Sequence, residues 1–191
     1  TVRNPWPMIG GCATSTCRGG EDFLRPVYGK EGDVLVLTKP LGTQLAVNMF
    51  EWMRTAAKFN RVKGVITVDE IVAAYKMAMT SMSYLNLDAA RLMWKYEAHG
   101  CTDVTGFGML GHSNNLAQEQ EAEVDLVVDT LPIIKGMIKV ERHLNNNWNL
   151  FKGRSAETSG GLLIMMTPEN AAKYIQEYKA VSGHDAWVVG K

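Results

Sequence analysis

The 191-residue sequence lacks an excess of charge, because twenty Lys and Arg residues balance twenty Asp and Glu residues. No run of Lys or Arg forms a basic stripe, so we expect neither nucleic acid nor an acidic membrane surface as a partner. An apolar run near the roughly 20 residues that cross a bilayer is also missing, as is a recognisable secretion signal. An anionic ligand would therefore have to be held by a local site.

Cysteine is scarce, and the three residues Cys12, Cys17 and Cys101 show no CxxC spacing. No zinc-type pattern of cysteine and histidine accompanies them. This usage is typical of a reduced protein, so we expect a cytoplasmic location, with Cys12 and Cys17 as small buried side chains. Thr1 rather than Met begins the sequence, and we expect the natural protein to extend upstream of it.

Apolar residues make up 46% of the sequence, as in an ordinary globular protein, and their spacing indicates both strands and helices. Apolar runs predict strands at 8–14, 33–38, 123–128, 162–166 and 186–190. Helical spacing predicts helices at about 43–58, 67–82, 86–96, 110–120, 132–144 and 167–178. Thr43 is expected to cap the first of these helices and Gly100 to close the third. The alternation of elements predicts a layered α/β domain with a mixed sheet.

The stretch with the strongest chemical character runs from His99 to His112. Asp103 lies between Thr102 and Thr105, and several glycines follow immediately before a predicted helix. Glycines allow close backbone approach, a helix start offers free N–H groups, and a carboxylate there could hold Mg²⁺. A Gly-rich turn with a capping side chain is the alternative, and both interpretations stay open. The same holds for His112, which could be a core residue or a phosphate contact.

A second small-residue loop, Glu157-Thr158-Ser159-Gly160-Gly161, precedes the apolar run at 162–166. Paired glycines are first of all turn formers, so a tight turn before a core strand is one interpretation. The other is a second functional loop that the fold brings near the first.

Four segments of the sequence together resemble a known family. They are Asn4-Pro5-Trp6 with Gly10-Gly11, residues 32–44 with their Thr-Lys-Pro-Leu-Gly core, the Thr-Asp-Val-Thr-Gly-Phe-Gly segment at 102–108, and the Glu-Thr-Ser-Gly-Gly loop at 157–161. In this order they are similar to the motifs of the selenophosphate synthetases (selenide, water dikinases) of the eukaryotic type.

The resemblance implies a reaction in which ATP, selenide and water give selenophosphate, AMP and phosphate, with Mg²⁺ required. Selenophosphate supplies selenium for selenocysteine synthesis. It also implies the fold of the aminoimidazole ribonucleotide synthetase-like superfamily, in which an ATP-binding domain precedes a C-terminal α/β domain. Residues 1–29 would be the end of the first domain, with a remnant strand and a linker, and residues 30–191 would be the second.

The resemblance also assigns roles to particular residues. Asp103 matches an aspartate that binds Mg²⁺ beside the nucleotide phosphates, and Thr1 matches the last residue of a nucleotide-contacting motif. Thr102 and Thr105 are further candidates, through contacts to the water shell of the metal. The catalytic Cys or selenocysteine and its neighbouring Lys would lie upstream, so no catalytic residue is expected in this chain, and the chain alone is expected to be inactive.

Two alternatives compete with this interpretation. The natural protein could be another ATP-dependent kinase of the same superfamily, or a catalytically silent paralogue that regulates selenium metabolism. Members of the family are homodimers, so the full-length protein is expected to dimerise, with proteins of selenocysteine synthesis as possible partners.

Overall fold

The computed structural model describes residues 11–18 and 23–191, and four strands in this part of the chain form one sheet. They are β1 (Val34–Leu37), β2 (Gly100–Asp103), β3 (Leu162–Met166) and β4 (Trp187–Gly190). Their order in the sheet is β2-β3-β1-β4, and all three pairings are antiparallel. The predicted α/β class is confirmed, although the sheet is antiparallel rather than mixed, because continuous apolar runs do not encode strand direction.

Helices fill most of the connections between the strands. They are α1 (Thr43–Trp52), α2 (Ala56–Phe59), α3 (Val68–Ser83), α4 (Leu87–Lys95), α5 (Gly108–Gln118), α6 (Met137–His143) and α7 (Pro168–Ser182), with a 3₁₀ helix at Leu150–Lys152. None of the helices in the described ranges is long and apolar enough to cross a membrane.

Both faces of the sheet are covered by helices. On one face Leu35 and Leu37 pack in a cluster with residues of α1 and α3. On the other face Val36 packs in a second cluster with residues of α4 and α7. Because successive side chains of a strand point to opposite faces, a strand between two helical layers needs a continuous apolar run. The run at 33–38 was therefore a sound strand signal.

Local capping signals set the helix starts that the sequence predicted well. The Thr67 side chain accepts a hydrogen bond from the Glu70 N–H, and the Glu70 carboxylate accepts one from the Thr67 N–H, which completes a capping box for α3. Thr167 caps α7 in a similar way and Pro168 occupies its first turn. These bonds satisfy N–H groups that have no partner within the helix.

Several local predictions were wrong. Residues 123–128 form no strand, only an isolated bridge between Val128 and Gly190. The helix expected at Pro132 begins at Met137, because Ile133 forms a bridge with Leu41 and Gly136 turns the chain with a φ of 88°.

Gly100 is the first residue of β2 rather than a helix end. Glu97 supplies the left-handed turn after α4, with a φ of 49°. A Cβ on Gly100 would lie 3.2 Å from the backbone of Pro26, so the glycine permits a close chain crossing.

The predictions near the start of the chain fare differently. Cys12 and Cys17 are exposed rather than buried. Of the strand predicted at 8–14, residues 11–14 have no regular secondary structure, and the rest lies outside the described residues.

Candidate functional site

Three of the four motif segments meet at one end of the sheet, which we call the motif end. Leu37 pairs with Leu163 and with Trp187, and Asp103 pairs with Leu162. The segment 38–43 therefore leaves β1 at the motif end. The segment 104–107 leaves β2 there, and the segment 157–161 leads into β3 there. The two predicted loops are neighbours in space.

Glycines allow the loops at the motif end to touch through their backbones. A Cβ on Gly160 would lie 1.8 Å from the carbonyl oxygen of Val104, and one on Gly161 would lie 2.5 Å from the Lys39 nitrogen. Two hydrogen bonds join the loops, from Val104 N–H to the Gly161 carbonyl at 2.9 Å and from Glu157 N–H to the Thr105 carbonyl at 3.0 Å. Gly160 and Gly161 therefore allow the two loops to pack against each other, because neither glycine carries a side chain at the contact.

Asp103 lies at the end of β2, and its side chain is exposed at the motif end. Within the described residues its carboxylate makes no hydrogen bond or ion pair, whereas the Thr102 hydroxyl donates to the Asp103 backbone oxygen at 3.1 Å. In the same part of the chain, no three His, Cys, Asp or Glu side chains are grouped as a metal site. A single carboxylate fits Mg²⁺, which takes one or two protein carboxylates and otherwise keeps water and phosphate oxygens.

His112 holds the loop that follows Asp103. Its ring is buried on α5, and its Nε2 accepts a hydrogen bond from the Phe107 N–H at 3.4 Å and lies 3.2 Å from the Thr105 hydroxyl. Both contacts lie just before the helix, so His112 ties the loop to α5. These are the contacts of a buried structural histidine, which was one of its two possible roles.

Glu157 is a site residue that the sequence did not single out. Its buried carboxylate accepts hydrogen bonds from the Gly42 N–H at 2.6 Å, from the Thr43 N–H at 2.9 Å and from the Thr43 hydroxyl. It therefore caps α1 from another loop, and Thr43 is not the cap, because Gly42 occupies that position. Burial raises the pKa of Glu157, although the donors from Gly42 and Thr43 oppose that shift.

Lys39 is a second residue that the sequence did not single out. Its side chain is 2% exposed, and its Nζ donates to the carbonyl oxygens of Tyr84 and Ser159, each at 2.8 Å. The ammonium also lies 4.3 Å from the centre of the Tyr84 ring. Burial lowers the pKa of Lys39. The only prior signal was its place in the Thr-Lys-Pro-Leu-Gly segment.

The remaining candidates are placed as follows. Thr1 and most of the Asn-Pro-Trp segment lie outside the described residues. Cys101 is partly buried on β2, and burial, followed by the charge of Asp103, raises the pKa of its thiol, so little thiolate forms at neutral pH.

Residues 30–191 match the family described as AIR synthase related protein, C-terminal domain. This match covers most of the chain, so the chain belongs to that family. Over its whole length it is also similar to particular enzymes. A selenide, water dikinase of Dictyostelium discoideum is 50% identical over 190 residues, which are 100% of this chain and 52% of that protein. Selenide, water dikinase 2 of Homo sapiens is 49% identical over 193 residues, which are 100% of this chain and 43% of that protein.

The resemblance to selenophosphate synthetases is thereby confirmed, and the chain spans about half the length of the curated relatives it matches. Solved structures agree on the fold. The crystal structure of E. coli HypE, a hydrogenase maturation protein, is similar with a TM-score of 0.63 and 14% identity, covering 89% of this chain and 46% of that one. At that identity the likeness concerns the fold alone.

Proposed function

We propose that this chain is the C-terminal part of a selenide, water dikinase, which converts ATP, selenide and water into selenophosphate, AMP and phosphate. The single observation that carries the proposal is 50% identity to such an enzyme across the entire chain. The convergence of three motif segments at the motif end supports it, because residues spread over the chain meet where a ligand could bind. Residues 1–29 would end the preceding ATP-binding domain, and residues 30–191 would form the domain that carries the motif end.

The motif end would contact the phosphates of ATP through Mg²⁺ held by Asp103. The exposed carboxylate makes no hydrogen bond or ion pair with other described residues, which leaves both its oxygens for a metal and its water shell. Thr102 and Thr105 would contact that shell, and Thr1 would contact the nucleotide. When bound, Mg²⁺ neutralises phosphate charge and orients the groups between which the phosphoryl group passes.

The residues of this chain would bind and orient rather than react. Asp103 would bind the metal, and the hydrogen-bonded loops at 104–107 and 157–161 would keep Asp103 in position. Positioning of this kind supplies most of the catalysis in phosphoryl transfer, because the transferred group needs little covalent help. The nucleophile and its Lys would come from the preceding domain, within a homodimer in the cytoplasm, and this chain alone would be inactive.

Phosphorus NMR of the full-length natural protein tests the proposed reaction. We expect AMP, phosphate and a selenophosphate signal to form together, and only when selenide is present. ADP formation without dependence on selenide would instead identify another kinase of the superfamily. Absence of ATP turnover under the same conditions would favour a silent regulatory protein.

The role of Asp103 is tested by Asp103→Asn in the full-length protein. We expect the Mg²⁺ concentration for half-maximal AMP formation to rise at least about tenfold, the loss that even an outer-shell change causes. Asp125→Asn is the matched control, because Asp125 is also exposed but lies near the opposite end of the sheet, beside Val34 and Met165. Equal Mg²⁺ dependence in the two variants would remove Asp103 from the metal site.

A further inference from the structure

We propose that Lys39 is a positioning residue that holds the turn at 159–161 in a strained conformation and thereby fixes the loop that directly follows Asp103. The inference rests on the proposed function for its effect on catalysis, but not for its effect on the loop itself.

The turn contains backbone strain. Ser159 has a φ of 47°, in the left-handed region that residues with a side chain seldom adopt. Gly160 and Gly161 follow it, packed against Val104 and Lys39 at distances that no side chain would permit. A conformation of this kind costs free energy and persists only where the surroundings enforce it.

Two donors, the buried Lys39 and the half-buried Asn86, hold the turn in this conformation. The Lys39 ammonium donates to the Ser159 carbonyl at 2.8 Å, and the Asn86 side-chain amide donates to the next carbonyl, that of Gly160, at 2.9 Å. Two consecutive carbonyls of the turn are thus each held by a residue that is distant from the turn in sequence. The Lys39 bond spans 120 positions, so it joins the turn to the rest of the fold rather than to its own neighbours.

The chemistry of Lys39 is not explained by packing alone. A buried ammonium loses hydration, and in the described structure its hydrogen bonds go to the carbonyls of Tyr84 and Ser159. An apolar side chain of similar volume would fill the space without that loss, but it would leave the carbonyls of Tyr84 and Ser159 without this donor. What the apolar side chain could not do is orient the Ser159 carbonyl.

The turn at 159–161 contacts the loop that follows Asp103 and so determines its position. Gly160 lies against the Val104 carbonyl, and the Gly161 carbonyl accepts a hydrogen bond from the Val104 N–H at 2.9 Å. Val104 is the residue directly after Asp103. A shift of the turn would therefore displace the end of β2 and with it the carboxylate assigned to Mg²⁺.

Amide hydrogen exchange in the full-length protein tests the effect on the loop without any assay of activity. In Lys39→Met we expect exchange at Val104 and Glu157, whose N–H groups bridge the two loops, to become at least about tenfold faster. The matched control is Lys135→Met, which removes an exposed lysine outside this network. Unchanged exchange in Lys39→Met would overturn the inference.

A second substitution separates positioning from general stability. Glycine adopts the left-handed conformation without strain, so Ser159→Gly should reduce the need for the Lys39 bond. In the double variant Lys39→Met with Ser159→Gly, we expect exchange at Val104 to return at least halfway to the wild-type rate. If Lys39→Met alone does not fold, folding of the double variant supports the inference, and its failure to fold overturns it.

Enzyme kinetics supply the third measurement. Lys39→Met should lower kcat and raise the Mg²⁺ requirement by about tenfold each while changing the KM for ATP less than about twofold, because the effect acts on Asp103. Ser159→Gly should restore part of both losses. If the wild-type protein shows no selenide-dependent turnover, the proposed function fails, but the exchange measurements still decide whether Lys39 holds the turn.

Discussion

The two ends of the sheet each present an aspartate, and the two side chains have opposite surroundings. Asp33, just before β1, is 7% exposed, and its carboxylate lies 2.7 and 2.9 Å from the His99 Nδ1 and accepts from the Lys30 N–H at 3.0 Å. Asp103, at the motif end, is exposed and has no such partners among the described residues. One carboxylate is committed to the fold, and the other is available to a ligand.

The difference extends to the backbone around each aspartate. At the motif end the carboxylate is free but the chain beneath it is fixed, through Gly160, Gly161 and the buried groups of Glu157 and Lys39. This combination would suit a binding group, because a side chain on a loose loop would lose more conformational entropy when it bound a ligand. At this end the buried groups of Glu157 and Lys39 support the fold, and the proposed binding group is the exposed carboxylate of Asp103.

The largest effect is expected from filling the contact between the loops. Gly160→Ala would place a Cβ 1.8 Å from the Val104 carbonyl oxygen, so the backbones must separate. We expect a loss of about 3 kcal/mol or more in the free energy of unfolding, measured by urea denaturation. Gly106→Ala is the control, because a Cβ there meets nothing within 4 Å, and it should change stability by less than about 0.5 kcal/mol. Equal effects would show that the loops are not in contact.

The next effect concerns the cap that Glu157 gives to α1. Glu157→Ala removes three hydrogen bonds and leaves the N–H groups of Gly42 and Thr43 buried without an acceptor. We expect a loss of about 2–4 kcal/mol, since each buried unpaired group costs about 1–3 kcal/mol. Glu31→Ala, which removes an exposed carboxylate, should be nearly neutral. A loss in Glu157→Ala no larger than in this control would contradict the capping role.

Glu157 also predicts a pH dependence. Burial raises its pKa above the ordinary value of 4.5, so the folded protein binds this proton more tightly than the unfolded chain does. The stabilisation that comes from protonated Glu157 is complete below pH 4.5 and is lost as the pH rises through the folded-state pKa. The stability of the wild type relative to Glu157→Gln, which does not titrate, should therefore fall as pH rises above 4.5. A constant difference, measured by urea denaturation across this range, would contradict the raised pKa.

Local structure could be predicted from the sequence where the interacting residues are close together in the chain. Thr67 and Glu70 are three positions apart and their capping box could be read directly, as could the apolar run of β1. The motif also drew attention to Asp103, whose assignment to Mg²⁺ stays a prediction. Each of these depends on a local pattern of a few residues.

The sequence did not predict contacts between residues that are far apart in the chain. Glu157 and Thr43 are 114 positions apart, and nothing in the segment 38–43 shows that its helix takes its cap from elsewhere. Lys39 was overlooked for the same reason. At Pro132 a real local preference for a helix start was overridden, because the Leu41 N–H donates to the Pro132 carbonyl at 2.8 Å and keeps the segment extended. Tertiary hydrogen bonds of this kind produce no repeating pattern of residues in the sequence.

The smallest effects return to the two aspartates and test their division of roles. Asp33→Asn weakens a partly buried hydrogen bond to His99, and we expect a loss of about 1–2 kcal/mol in the free energy of unfolding. Asp103→Asn should change it by less than about 0.5 kcal/mol, because the exposed carboxylate contributes no described hydrogen bond. Urea denaturation of both variants, without metal or nucleotide, makes the comparison. A loss in Asp103→Asn that matches the loss in Asp33→Asn would mean that Asp103 is part of the fold, and its assignment to Mg²⁺ would lose its structural support.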